Sequence, residues 1–317
     1  MPTLQRRSLL TTAMLASPAL LLGGGRAFAD TTKTFRVGYQ KASVTLVLTK
    51  AKRAFEAKLA PLGWSVAWAE FTSGPPLMEA LAANAIDFAF TGEPPVIFAQ
   101  AAHTNLVYVA ATKVSPQAVG ILKPAGSKLA SVTDLKGKRV AVAKGSSAHY
   151  LLIAALAHNN IPYDSVEKVF LQPADARAAF ATGAVDAWSI WDPFYAGAQA
   201  AGAVLLVNGE NLIANRGFYT AGRNFADKNR AILNHAIAIL NSQESWEQAH
   251  QAETAALIAP GIGLPDSVLK IWFARQKYGV EPMSPKIFAG QQKIADVFFK
   301  LGLIPTKVTV TDDAWTA

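Results

Sequence analysis

The sequence contains no cysteine among its 317 residues. That absence excludes disulfide bonds, a thiol nucleophile, an iron–sulfur cluster, a cysteine zinc site and a lipid anchor on cysteine. The five histidines have none of the spacings of known zinc motifs, so we predict no metal site and no resident cofactor. The strings GxxxxGK[ST] and GxSxG are absent too, so neither a phosphate loop nor a nucleophile elbow is present.

Basic residues outnumber acidic ones, but they form no block. The chain has 30 Lys and Arg against 22 Asp and Glu, a formal net charge of +8. A nucleic-acid-binding protein would concentrate its basic residues in a patch, so that function has little support, whereas a small anionic ligand is compatible. With 51% hydrophobic residues the chain is not mainly disordered, and its length indicates two domains or one large α/β unit.

A long apolar run occurs only near the N-terminus. Residues 8–22 follow Arg6 and Arg7 and precede a small-residue sequence that ends at Ala29. This order predicts a signal peptide, residues 1–29, cleaved after Ala29. The run is shorter than the ~20 apolar residues that span a bilayer. Its first residues resemble a twin-arginine export signal, and an ordinary secretory signal remains the alternative.

Short apolar segments alternate with helical patterns, which predicts an α/β fold with largely parallel sheets. The predicted strands are residues 35–39, 65–70, 86–90, 107–111, 139–143, 166–171, 185–190 and 204–207. The predicted helices include residues 44–59, 76–83, 148–158 and 174–182, and from about residue 226 onward the pattern is mainly helical.

An internal repeat predicts two similar lobes. LAANAIDFAFTGEP (residues 81–94) corresponds to FATGAVDAWSIWDP (residues 180–193), and RVGYQKAS (residues 36–43) corresponds to RVAVAKGS (residues 139–146). Two unrelated α/β units can also share such patterns, but here both segments recur in the same order. We expect residues 30–120 with 221–317 in lobe 1 and residues 121–220 in lobe 2. The crossings would lie near residues 118–123 and 217–223, so a hinged cleft would separate the lobes.

Ligands of open α/β sheets bind at the carboxyl ends of strands, beside helix N-termini. One such turn holds Gly145, Ser146 and Ser147, whose hydroxyl and backbone N–H groups suit a tetrahedral oxyanion. The alternative is ordinary N-capping by serine. His149 could donate to the same anion or could be a helix-surface histidine.

Two further strand-to-helix turns are candidates. Gly92 would let a ligand approach the backbone, and Glu93 would contribute its N–H or contact a cationic ligand group; a simple capped helix start is the alternative. Trp191 offers an aromatic surface for an organic ligand, with core packing as the alternative, and Asp192 is predicted to cap the helix that follows. Asp87 and Asp186 recur at the turn before a strand and are predicted to be structural rather than a paired acid–base couple.

Several segments together resemble the periplasmic aliphatic-sulfonate-binding proteins of ABC importers. They are FRVGYQK (35–41), PLGW (61–64), WAEF (68–71), GEPP (92–95), FAQAA (98–102), DLKGK (134–138), HYLL (149–152), PADARAAF (173–180), GAVDAW (183–188) and IWDP (190–193). The likeness covers residues 34–225. The segments DLKG and GAVDA occur across a wider superfamily that binds nitrate, taurine and thiamine precursors.

The resemblance implies a two-lobed, type II periplasmic-binding-protein-like fold with a hinge of two crossing segments. It implies a monomeric periplasmic protein, not an enzyme, that delivers an alkanesulfonate to a membrane permease with its cytoplasmic ATPase. Taurine, nitrate or catalysis on the same fold are the alternatives. The implied ligand-binding residues are Gln40, Gly92, Glu93, Gly145, Ser146, Ser147, His149, Tyr150, Trp191 and Asp192. Pro94 replaces a residue that is often small in the family and removes one N–H donor.

Overall fold

Residues 33–315 are described by the structure, which is a computed structural model. The predicted signal peptide and its cleavage position lie outside the described residues. Within residues 33–315, strands and helices alternate. Buried segments of strand-favouring residues, such as LVYVAAT (106–112), are followed by helical segments with a polar face. Among the described residues no single helix is long and apolar enough to cross a membrane, and only the bent pair Gln251–Ile262 with Asp266–Phe273 passes that test of length and composition.

The strands form two mixed sheets. The first sheet contains, in spatial order, β11 (Val280–Glu281), β4 (Leu106–Thr112), β10 (Gly217–Gly222), β3 (Phe88–Gly92), β1 (Lys33–Gln40) and β2 (Trp64–Phe71). The second sheet contains β7 (Glu167–Phe170), β6 (Arg139–Val142), β8 (Ala187–Trp191), β5 (Val119–Lys123) and β9 (Val204–Asn208). In each sheet three strands run parallel, β1 with β2 and β3, and β6 with β7 and β8. The returning strands β10, β11, β5 and β9 pair antiparallel.

Helices cover both faces of each sheet. They are α1 (Val44–Ala51), α2 (Ala54–Leu59), α3 (Gly74–Ala82), α4 (Glu93–Ala101), α5 (Ser147–His158), α6 (Pro173–Ala181), α7 (Phe194–Ala200), α8 (Arg223–Lys228), α9 (Arg230–Ala249), α10 (Gln251–Ile262), α11 (Asp266–Phe273) and α12 (Pro285–Lys300). Separate apolar clusters lie on the two faces of the first sheet, and two more lie on the faces of the second. Burial on both faces explains why the central strands are almost uninterrupted apolar runs.

The structure places the chain crossings elsewhere than the sequence indicated. The chain passes between the sheets at residues 113–118 and 209–216, because residues 119–123 and 217–222 form β5 and β10. The predicted helix 44–59 is divided into α1 and α2, since Arg53 adopts a left-handed backbone conformation with φ of 52°. β5 and β10 pair antiparallel with strands that are distant in the chain, so their places in the sheets depend on tertiary pairing.

Each copy of the internal repeat forms an equivalent Arg–Asp ion pair, one in each sheet. The Arg36 guanidinium donates to Asp87, 3.0 Å from Nε to Oδ2, and the Arg36 backbone N–H donates to the same oxygen at 2.8 Å. In the second sheet Arg139 binds Asp186 in the same way, at 3.2 Å and 2.8 Å. Each aspartate precedes a strand and is fixed to the first residues of its parallel neighbour. Both aspartates therefore have the structural role that the repeat predicted.

Candidate ligand-binding site

A cavity of about 120 Å³ lies between elements of the two sheets. On the same measure a single water needs only ~10–15 Å³, so the cavity has room for a small organic ion. Its wall includes the ends of β1, β3 and β8 and the starts of α1 and α5, together with residues of both crossing segments. Six of the ten predicted ligand-binding residues line it: Gln40, Gly92, Ser146, Ser147, Trp191 and Asp192. The other four, Glu93, Gly145, His149 and Tyr150, are not among its lining residues.

The N-terminus of α5 provides the clearest set of donors in the cavity wall. Ser146 is the N-cap, and its Oγ accepts a hydrogen bond from the His149 backbone N–H at 3.2 Å. The first N–H groups of a helix lack partners within the helix, so those of Ser147 and Ala148 remain for other acceptors. The partial positive charge of a helix N-terminus adds to them. This end of α5 is therefore suited to an anion.

The two serines of this turn have different environments. Ser146 Oγ donates to the Ala143 carbonyl at 2.7 Å, so its hydrogen already has an acceptor and the side chain acts as a cap. Ser147 is the first residue of α5, and its hydroxyl lies against Gly92 at the N-terminus of α4. Both serines line the cavity, but only the Ser146 hydroxyl has the capping role in the α5 turn.

The N-terminus of α4 offers fewer donors than α5. Gly92 is its N-cap, and among the first three helical residues only Glu93 has a backbone N–H, because Pro94 and Pro95 have none. The importance of this turn lies in the small size of Gly92: a Cβ there would be 2.1 Å from Ser147 Oγ. Gly92 therefore permits the close approach of the two helix N-termini.

Gln40 fixes the end of β3 at the cavity. Its Nε2 donates to the Phe90 carbonyl at 3.2 Å and to Thr91 Oγ1 at 3.3 Å. The Gln40 side chain is 7% exposed. Its amide therefore holds β3 beside β1 and leaves little surface for a ligand.

His149 lies behind the α5 turn, outside the cavity. The Gly145 backbone N–H donates to His149 Nδ1 at 3.1 Å, and His149 Nε2 is 2.6 Å from the Tyr163 hydroxyl. Because Nδ1 is an acceptor, the neutral imidazole carries its proton on Nε2. Burial, with smaller contributions from Lys144 and Lys168, lowers the pKa of His149 to about 4. The residue supports the Gly145 turn, whose φ is 71°, and is not directed at a ligand.

Tyr150 and Glu93 occupy the packing between α5, α4 and α12. The Tyr150 ring lies 6.1 Å from that of Phe298, and burial with the nearby Glu93 raises the pKa of Tyr150 to about 12. Burial raises the pKa of Glu93 to about 7, although Arg216 opposes this shift. Glu93 Oε2 is buried and has no hydrogen-bond partner among residues 33–315. The Glu93 carboxylate lies near Arg216, and neither Glu93 nor Tyr150 is among the residues that line the cavity.

Trp191 and Asp192 form the wall at the end of β8. Trp191 is half-buried and contributes an aromatic surface to the cavity. Asp192 accepts from Arg275 at 3.1 and 3.2 Å and from the Ala196 backbone N–H at 2.9 Å, so it caps α7 as predicted. Burial raises the pKa of Asp192 to about 6, against the opposite effect of Arg275. The ion pair leaves this carboxylate structural.

The sequence reasoning missed the parts of the wall that come from the crossings and the C-terminal helices. Residues of this kind are Thr112, Ser115, Asn215, Arg216, Glu244, Glu247, Trp272, Lys277 and Tyr278. Arg216 Nη1 is 2.6 Å from Glu281 Oε2 and also donates to the Thr112 carbonyl. Arg216, next to the predicted crossing at residues 217–223, was the available signal, but these residues lie outside the internal repeat that contains the predicted turns.

Comparisons with known proteins identify relatives of this chain. A family model described as NMT1/THI5 like matches residues 65–212. A protein of Escherichia coli (strain K12) named for aliphatic sulfonate binding is 38% identical over 89% of this chain and 89% of its own length.

Two solved structures extend the likeness. The alkanesulfonate-binding protein SsuA from Xanthomonas axonopodis pv. citri, bound to MOPS, is 39% identical, with a TM-score of 0.87 over 90% of this chain and 98% of its own. The periplasmic aliphatic sulphonate binding protein SsuA from Escherichia coli is 37% identical, with a TM-score of 0.82 over 90% and 92% of the two chains. The fold class predicted from the sequence is thereby confirmed. The chain belongs to the family of aliphatic-sulfonate-binding proteins.

Proposed function

We propose that this protein is the periplasmic substrate-binding component of an ABC importer and captures aliphatic sulfonates in the cavity between its two sheets. One observation carries the proposal: the N-terminus of α5 opens into the cavity, with the Ser147 hydroxyl opposite Gly92. Family membership supports it, since the relatives are named for the same ligand class.

The chemistry of the wall fits a sulfonate. A sulfonate remains anionic at physiological pH, so hydrogen-bond donors and a helix N-terminus are sufficient to hold it. The N–H groups at the start of α5 and the Ser147 hydroxyl supply donors, and the guanidinium of Arg216, which is ion-paired with Glu281, also lies in the wall. Each hydrogen bond to a charged group is worth ~1.5–3 kcal/mol, so a few of them, less the cost of association, give micromolar affinity.

The carbon chain of the ligand would contact the aromatic part of the wall. Phe90, Trp191, Tyr219 and Trp272 line the same cavity as the α5 N-terminus. Bare sulfate or nitrate would leave these apolar surfaces facing solvent, so a ligand with attached carbon is favoured. We assign Trp191 to this contact because it stands at the strand end, beside the cavity.

The arrangement favours binding without catalysis. Asp192 is engaged by Arg275, and His149 lies outside the cavity. The Ser146 hydroxyl donates to a backbone carbonyl rather than to a base. We therefore propose a binding protein and not an enzyme, in which the two sheets belong to lobes that close around the ligand. Its partner would be a membrane permease with a cytoplasmic ATPase, and the monomer would be exported after cleavage behind Ala29.

The test is isothermal titration of the ligand-free exported protein, residues 30–317, with butane-1-sulfonate, nitrate and sulfate. We expect saturable binding of the alkanesulfonate and recovery of the unchanged ligand by mass spectrometry. Ser147→Ala should weaken that binding, and Ser267→Ala, at an exposed serine in the first turn of α11, is the matched control. Absence of alkanesulfonate binding would refute the proposed function, and conversion of the ligand would favour the enzyme alternative.

A further inference from the structure

Two glutamates lie on the buried face of α9 and in the wall of the cavity. Glu244 and Glu247 are three residues apart, which places them on the same side of the helix. They are 4% and 1% exposed. A buried carboxylate normally has a cationic partner. The ion pairs among residues 33–315 include neither of them.

The hydrogen bonds around the two carboxylates are unequal. Glu244 accepts from the Gly279 backbone N–H and from the Tyr219 hydroxyl, the latter at 3.4 Å. Glu247 Oε2 accepts from Thr45 Oγ1 at 3.2 Å, while Glu247 Oε1 is buried with no hydrogen-bond partner. One acceptor atom at the cavity wall is therefore unoccupied by the protein.

The surroundings of Glu247 disfavour its ionised form unless a positive group is near. Burial and the neighbouring Glu244 both raise the pKa of Glu247, and burial raises that of Glu244 to about 7. Lys113 acts on Glu244 at longer range, and Tyr278 lies near both carboxylates. A cation beside Glu247 would offset the repulsion and supply a donor to Oε1.

We propose that Glu247, with Glu244 beside it, forms a subsite for an alkylammonium group, so that the preferred ligand is a zwitterionic aminoalkanesulfonate. This inference rests on the proposed function, since it requires the sulfonate end to bind at the N-terminus of α5. The ligand then has its negative end at α5 and its positive end at α9, on two parts of one cavity wall. An ammonium group fits better than a metal ion, because no cluster of three or more metal-ligating side chains occurs in residues 33–315.

The test compares two ligands of nearly equal size and shape. 3-Aminopropane-1-sulfonate and butane-1-sulfonate differ only by an ammonium in place of a terminal methyl group. In titrations of the mature, ligand-free protein, we expect the aminosulfonate to bind about tenfold more tightly, because it adds a charge-assisted hydrogen bond. Glu247→Gln should weaken aminosulfonate binding by about tenfold or more and leave butane-1-sulfonate within about threefold of the parent.

Controls separate the subsite from folding and from the proposed function. Glu253→Gln changes an exposed carboxylate on α10 and should alter neither affinity. If Glu247→Gln fails to fold by circular dichroism, Glu244→Gln and the comparison of the two ligands on the parent protein decide the question. Tighter binding of butane-1-sulfonate than of the aminosulfonate, or an equal loss of both in the variants, would overturn the subsite and leave the proposed function intact. Binding of neither sulfonate would overturn both.

Discussion

The hydroxyl of Ser147 lies where the side chain of residue 92 would begin: a Cβ built on Gly92 comes within 2.1 Å of Ser147 Oγ. The two residues belong to different sheets, one at the end of β3 and the other at the start of α5. Glycine is thus required at position 92 because the N-termini of α4 and α5 lie too close together for a side chain. Its backbone conformation is not the reason, since a φ of −71° is allowed for any residue. This contact brings the N-termini of α4 and α5 together in the cavity wall.

Gly92→Ala should weaken alkanesulfonate binding by about tenfold, because the new methyl group displaces the Ser147 hydroxyl from the cavity wall. Titration calorimetry measures the effect, and a double-mutant cycle isolates its cause. Without the hydroxyl, in a Ser147→Ala background, Gly92→Ala should have much less effect, since Ser147 Cβ is 3.5 Å from the added atom. Equal losses in both backgrounds would contradict this account, and Gly290→Ala, at an open site on α12, is the control.

Substitution of Ser146 should mainly affect stability, whereas substitution of Ser147 should mainly affect ligand affinity. Ser146→Ala removes the N-cap of α5 and should lower the free energy of unfolding by ~1 kcal/mol. Ser147→Ala should leave unfolding nearly unchanged and reduce ligand affinity several-fold. Urea denaturation and calorimetry on both variants distinguish the roles. Reversed results, with affinity lost only in Ser146→Ala, would show that the cap residue is the ligand contact.

The buried ion pair between Asp192 and Arg275 should be important for stability. Asp192→Asn leaves the guanidinium without its carboxylate in a buried position and should lower the free energy of unfolding by ~3 kcal/mol. Urea unfolding of Asp192→Asn, Arg275→Met and the double variant measures the coupling, and the double variant should lose less than the sum. Asp164→Asn is the control, because that carboxylate is 98% exposed in its pair with Lys168. Additive losses would show that the pair has no mutual stabilisation.

The stability of the ligand-free protein should depend on pH through Glu93. Its folded pKa of about 7 lies above its ordinary value of 4.5, mainly through burial. The folded chain therefore binds the proton more tightly, and the resulting stability is present below about pH 4.5 and is lost as the pH rises through about 7. Glu93→Gln should thus gain stability relative to the parent protein between about pH 5 and about pH 8. Melting curves of both proteins, with exposed Glu79→Gln as control, measure this; a pH-independent difference would contradict it.

The sequence located the turns that face the cavity better than it identified the side chains that contact a ligand. Ligands of open α/β sheets bind at the carboxyl ends of strands, and this rule predicted Gly92, Ser146, Ser147 and Trp191. All four line the cavity. His149 was misjudged, because nothing in the chain order indicated that Tyr163 would bind its ring and the Gly145 N–H its Nδ1. Glu247 was not predicted, because on a helix a charged residue is ordinarily assigned to the exposed face.

The sequence alone determined the α/β alternation and the family resemblance, and it indicated a structural role for the repeated Asp87 and Asp186. These are local properties, since hydrophobic periodicity and turn residues act over a few positions. The tertiary structure decided the strand pairing of β5 and β10, the paths of the crossings and the side chains that share the cavity. Those features bring together residues far apart in the chain, such as Val119 with Trp191 in the second sheet and Gln40 with Glu247 in the cavity wall, and they exist only after both sheets have formed.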